Sequence, residues 1–569
     1  MVEATIVTSF YIFDKTVDQV VILAAFSIWL FLSFGHKKKY YIVLVFSMLV
    51  VTSYYLDVTF IVDIITIFAF PFIGTMYFLD WVMKARMDLK SRSPLLCLNY
   101  FMFLVTFIGL YSLALSFLKI IGIIELTEFP RDYAYDLFLV FSRTTYILVI
   151  LISMSILFRY LFPKIIRQFD PSVNEFINTR LVSKLSFQNK ILNTNTNVYL
   201  SLFLIVIAGI FVSAIPQLPT INPENRYVGV DTFWYVTWTK PFENSSIVNI
   251  AKNAFVEQSH GDRPFSLLLI YLFSKMFSLP GDGIDNLPIL LTPLTTIIVF
   301  FLTREIINRP DICLLVSFFT IISFQVLVGI YAGFYANWFG LIIGFLAMIF
   351  LIRFLKTPRK KNLICFSILI ISLIFFHVYT WTIFSIAIGL FLLFLLLLKN
   401  KYVLKRTVLI SLLAISITIP IDICKDIIIG SSGGIQEDIK LADYYLGFDN
   451  LSNFFENLYL SILISHGGIF GNGIVFFFVL IWAIFLAKLK NPFELFFLVF
   501  FLVLFIPVFF GYYNLQVRVL FDIPFQIPFV LSLVYLSKRI QSPILLLAVS
   551  ILISCISLRT LINLYFIEQ

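Results

Sequence analysis

Apolar runs long enough to cross a bilayer recur from one end of this chain to the other, and the short polar links between them alternate in charge. A helix needs about 20 apolar residues to cross the hydrocarbon. Only 13% of the 569 residues are charged, against about 25% in an ordinary soluble domain. Backbone facing lipid must satisfy its hydrogen bonds within its own segment, so these runs predict helices, not the short alternating segments of a membrane barrel. The expected fold class is all-α, a polytopic integral membrane protein with about 16 transmembrane helices.

The links fix an orientation. Basic ones fall at His36–Lys39, Lys84–Arg92, Lys164–Lys190, Arg304–Arg309, Arg353–Lys361, Lys399–Arg406, Lys488–Lys490 and Lys538–Arg539. Acidic or neutral ones fall between them, at Asp57, Glu125–Asp136, Pro216–Arg263, Gly329–Asn337, Asp422–Glu456 and Tyr512–Arg518. Positive loops stay in the cytoplasm, which puts the second set and both termini outside. Pro264–Leu279 is apolar but short and carries Lys275. As a full span it would reverse every later loop, so it is expected to lie in the outer interface. Leu458–Phe470 reads the same way. The chain divides near residue 197. Residues 1–197 hold five spans and end in the longest cytoplasmic loop, and residues 198–569 hold eleven spans and two large outer loops.

The net charge of +9 sits in the topology-setting clusters, so it points to membrane lipid and not to nucleic acid. The five cysteines are scattered with no CxxC spacing, which indicates neither a metal site nor a redox pair. Asp63 lies inside an expected span and should face other helices. Asn244 and Asn450 begin outer-loop glycosylation sequons.

Four features land on the outer side: Asp231, the Tyr331/Tyr335 loop, His377–Tyr379 and Arg518. An acid, a base, aromatic rings and an arginine on one face suit an enzyme working at the outer membrane surface. Asp231 begins DTFWYVTW in the first large outer loop. A carboxylate there can take a proton from an attacking hydroxyl, or serve as an ordinary helix cap. Asp262, in the SHGDRP run that leads into Pro264, is a second acid. Arg518 sits outside, against the positive-inside trend, and a guanidinium matches phosphate oxygens in a two-pronged grip. Asp522, four residues on, can pair with it across one helical turn.

The order of these parts, a span, an outer loop with an acid near aromatics, then an Arg-Pro entry into a short apolar helix, resembles the class-C (GT-C) polytopic glycosyltransferases. The resemblance covers about residues 198–569. It implies a GT-C-like core with outer-face loops and an interfacial helix. It also implies transfer of a sugar from a polyprenyl-phosphate donor to a glycan, lipid or protein acceptor, at the extracellular face of the cell membrane. Asp231 is then the catalytic position. Arg518, His377, Tyr379, Tyr331, Tyr335 and Asp262 are substrate-binding positions. The loop at Gly329–Trp338 lacks the second acid that some members of the class carry, so no metal ligands are assigned and a divalent metal stays open as a cofactor. The competing reading is a transporter or flippase for a lipid-linked or polar solute, which would place ionisable residues near the bilayer midplane. A scaffold without catalysis would leave Asp231, His377 and Arg518 apart.

Overall fold

In a computed structural model, the described residues are most of 195–429, 475–487, 492–510, 518–539 and 543–567, with a short stretch inside 110–123. The first five expected spans and Leu458–Phe470 lie outside them, apart from that stretch.

Every regular element among the described residues is helical. In chain order the principal helices are α1 (Asn195–Ala214), α2 (Thr232–Thr239), α3 (Pro264–Ser274), α4 (Leu287–Ile307), α5 (Pro310–Ile321), α6 (Phe324–Ala332) and α7 (Tyr335–Lys356). They continue with α8 (Lys360–Phe376), α9 (Val378–Leu397), α10 (Lys405–Ser416), α11 (Thr418–Ile429), α12 (Pro492–Phe510), α13 (Gln526–Arg539) and α14 (Pro543–Ile567). Among the described residues seven helical stretches are long and apolar enough to cross a membrane, and the protein is a multi-pass membrane protein.

The bundle is built on α4 and α7, which pack on each other, with α1 and α5 against α4 and α8 and α9 against α7. Helix α7 has 22 residues, about 33 Å at 1.5 Å per residue, enough to cross the hydrocarbon. Hydroxyls inside these helices bond back to the preceding turn, as Thr295 does to Leu291 O and Thr303 to Val299 O. That satisfies a polar group without leaving the helix. Trp338 Nε1 donates to Thr295 Oγ1 at 2.7 Å and ties α7 to α4. Gly344 lets α7 and α9 approach closely, since a Cβ there would lie 2.6 Å from the Phe384 ring.

Helix α3 has 11 residues, about 16 Å, which is too short to cross. Three expected boundaries change. The run expected as one span between the links Arg304–Arg309 and Gly329–Asn337 is two helices, α5 and α6, broken at Ile322–Ser323. The loop Gly329–Asn337 shrinks to Gly333–Phe334, because α6 runs to Ala332 and α7 starts at Tyr335. The loop expected from Asp422 begins later, since α11 continues to Ile429.

The two ends of the bundle differ in chemistry. Arg353 Nε donates to Glu305 at 2.8 Å, Arg309 pairs with Asp311, and Lys538 lies near both Arg309 and Asp311. These groups cap the ends of α4, α7 and α13, and the acids and arginines of the outer links gather at the other end. Cysteines introduced at Asn249 and Lys361, each in a cysteine-free background, should therefore label from opposite sides. A membrane-impermeant maleimide is expected to reach Asn249→Cys in intact cells and Lys361→Cys only after permeabilisation. Labelling of both from one side would overturn the alternation.

Candidate functional site

The loop before α2 is held by its backbone. Val230 N donates to Tyr331 O at 2.9 Å, and Asp231 N donates to Ala332 O at 3.0 Å. These carbonyls end α6 and would otherwise lack partners. Gly333 closes α6 with φ +66°, the left-handed region that favours glycine. A Cβ at Gly333 would lie 3.1 Å from Asp231 N, so the close approach also needs glycine.

Beneath the loop sits Asp285, which is buried. Its carboxylate accepts from Val228 N at 3.1 Å, Gly229 N at 3.3 Å and Thr232 Oγ1 at 3.0 Å, and from Gln217 Nε2. Tyr335 adds its hydroxyl, 2.9 Å from Thr232 Oγ1. Tyr335 is fully buried, so it supports the loop from below and does not present its ring to the open side. Tyr331 is half-buried at the end of α6 and gives its carbonyl to Val230.

Asp231 stands at the start of α2, but its side chain makes no capping hydrogen bond. Burial raises its carboxyl above the usual carboxylate range, and the charges of Arg518 and Arg263 pull it partly back. Asp231, Arg263 and Arg518 thus share one electrostatic neighbourhood although 287 residues separate the first from the last (518 − 231). The Arg263 guanidinium covers the Trp238 ring at 5.1 Å, and that of Arg518 covers Tyr379 at 4.5 Å.

His377 joins α8 to α9 in extended backbone, φ −166° and ψ 110°, and is buried. Thr380 N donates to its Nδ1 at 3.3 Å, the geometry of a helix cap. Nδ1 therefore holds a lone pair, and the proton of the neutral ring is on Nε2. Burial, with Arg263 and Arg518 close by, holds the imidazole well below the usual histidine range. In that tautomer His377 is a neutral N–H donor. Behind it, Thr380 Oγ1 lies 2.9 Å from Nδ1, 2.8 Å from Asn337 Oδ1 and 3.3 Å from Asp522 Oδ1. One hydroxyl proton cannot serve three acceptors. Turning the Asn337 amide end for end gives its otherwise unpartnered, buried Nδ2 a partner and relieves the conflict.

The segment that carries Arg518 is anchored on the same network. Thr380 meets Asp522, Gln325 Nε2 donates to Ile523 O, and Gln526 Nε2 donates to Gln325 Oε1 at 3.2 Å. Asp262 belongs to a neighbouring group. Burial raises its carboxyl, Arg263 and Lys425 oppose this, and Asp426 and Asp422 add to it. Buried Lys425 reaches Asp422 at 2.7 Å and Asp426 at 3.5 Å. Among the described residues no three His, Cys, Asp or Glu side chains stand together as metal ligands. The charges beside Asp231 are guanidinium groups, which do not suit a divalent cation.

No family model matches the chain, and no curated protein matches it. Among solved structures it is similar to the Archaeoglobus fulgidus oligosaccharyltransferase in the apo form, at 14% identity and a TM-score of 0.39, over 59% of this chain and 51% of that one. It is also similar to the archaeal oligosaccharyltransferase AglB from Archaeoglobus fulgidus in complex with an inhibitory peptide and a dolichol-phosphate, at 14% identity and a TM-score of 0.40, over 61% and 51%. The chain spans about half the length of both. A likeness this slight transfers neither residues nor chemistry.

Proposed function

We propose that the chain is a membrane glycosyltransferase of the class-C type. It moves a sugar from a polyprenyl-phosphate-linked donor to an acceptor hydroxyl at the outer face of the cell membrane. The observation that carries this reading is the meeting of Asp231, Arg263, His377 and Arg518 from three separate links at one end of the bundle. A scaffold has no need of buried charge gathered in this way.

In this mechanism the acceptor oxygen attacks the anomeric carbon and Asp231 takes its proton. The bond from that carbon to the phosphate oxygen breaks, and the electron pair leaves with the phosphate. Arg518 and Arg263 supply positive charge for the leaving group, in a site where low dielectric strengthens the interaction. His377 offers a neutral N–H to the same anion.

The test is transfer of a labelled sugar from a polyprenyl-phosphate donor by the purified chain in liposomes. Arg518→Lys keeps the charge but loses the fork and its stacking on Tyr379. It should raise the KM for donor roughly tenfold and lower kcat less. An unchanged donor KM would remove Arg518 from the phosphate contact. Solute movement across sealed vesicles with no transfer would favour the transporter.

A further inference from the structure

The face of α2 next to Asp231 is aromatic. Positions 231, 234, 235 and 238 recur at helical spacing and share one side of the helix. Tyr235 is buried, its hydroxyl accepting from Ala336 N at 3.2 Å. Trp238 is half-buried under Arg263, and Trp234 is 52% exposed. The two indoles lie nearly parallel, at 29° with centroids 6.4 Å apart. Together they form an aromatic platform that starts one turn from Asp231 and ends at Arg263.

Phe233, also exposed, lies on the far side of α2 from Asp231. Its direction suits contact with lipid, as expected of an interfacial helix. Trp234 lies between the two sides, its ring edge to face with Phe233 at 5.8 Å and nearly parallel to that of Trp238. An acceptor whose hydroxyl reaches Asp231 from the α2 side lies against this surface. A rigid indole offers a large apolar face that matches the flat C–H face of a sugar ring. A fatty acyl chain, being flexible, has no such match to a plane beside two arginines and an acid.

We infer that Trp234 and Trp238 form the acceptor subsite and that the acceptor presents a saccharide ring to it. This rests on the transferase reading for its orientation, but binding can be measured without transfer. The full chain in nanodiscs would be titrated with short oligosaccharides of glucose, galactose, mannose and N-acetylglucosamine while tryptophan fluorescence is followed. Parallel samples would contain brominated phosphatidylcholine, which quenches indoles in contact with lipid.

At least one oligosaccharide should shift the fluorescence, and Trp234→Ala should weaken its binding roughly tenfold. Trp234→Phe keeps an aromatic face and should restore most of the affinity. Quenching by brominated lipid should be the same in Trp234→Phe as in the native chain. Three outcomes overturn the inference: no saccharide shift, a shift that survives Trp234→Ala unchanged, or loss of most lipid quenching in Trp234→Phe. Binding of hydrophilic peptides in place of saccharides would overturn the class of acceptor. Saccharide binding that depends on Trp234 without sugar transfer would leave the subsite standing and remove the transferase reading.

Discussion

Asp231→Asn should lower sugar transfer by about 10²–10⁴-fold, the usual contribution of a general base. The amide keeps the size of the carboxylate and much of its hydrogen bonding but cannot accept the proton. The backbone bonds of residues 230 and 231 to α6 do not involve the side chain, so folding should survive. The pH profile gives a second check. Burial raises the carboxyl of Asp231, and Arg518 and Arg263 moderate the shift. The base works only when ionised, so the rate should fall with falling pH, and at a higher pH than for an exposed aspartate. Arg263→Gln removes one moderating charge and should move that midpoint further up. Turnover near the native level in a well-folded Asp231→Asn variant would exclude Asp231 from the mechanism.

Asp285→Ala should be the most damaging change to the frame. It removes the acceptor for two backbone N–H groups, for the Thr232 hydroxyl and for the Gln217 amide. Each buried donor left unsatisfied costs about 1–3 kcal/mol, and a loss of about 3–5 kcal/mol is expected once the loop relaxes and water enters. Thermal unfolding in detergent should shift clearly downward. Asp285→Asn retains one acceptor oxygen and should fall between. Because Asp285 holds the loop that presents Asp231, kcat in the Asn variant should drop more than donor KM rises. An Ala variant with native melting and native turnover would refute both roles.

The alternation of basic and neutral links was enough to sort the described helix ends into two chemical groups, because loop charge is a local property of sequence. It was also enough to mark α3 as short and to put Asp231 and Arg518 on one face. Asp285 left no comparable trace. Its partners are backbone groups more than fifty residues upstream, and one acid in PGDGID looks like any solvated turn. Arg263 is subject to the same argument that singles out Arg518, an arginine on a link expected to lie outside. Arg226, Lys240 and Lys252 share its loop and hide the signal. Tyr335 was misleading because an aromatic at a span boundary reads as interfacial, and only packing shows that it lies under the loop. The break at Ile322–Ser323 is also silent, since an apolar run carries no mark of where two helices meet inside it.

Helix α6 has a consequence for the membrane around it. Its last turn accepts the backbone of Asp231, and its first turn, through Gln325, holds the segment that carries Arg518. In the proposed mechanism the base and the phosphate grip are therefore bridged by one nine-residue element, about 13 Å long, beside the contact of Thr380 on α9 with Asp522. The long helices can tilt to match a thicker or thinner bilayer. In the proposed site the short α6 would carry the spacing of the reacting groups, so transfer is expected to depend little on the thickness of the bilayer in which the bundle floats.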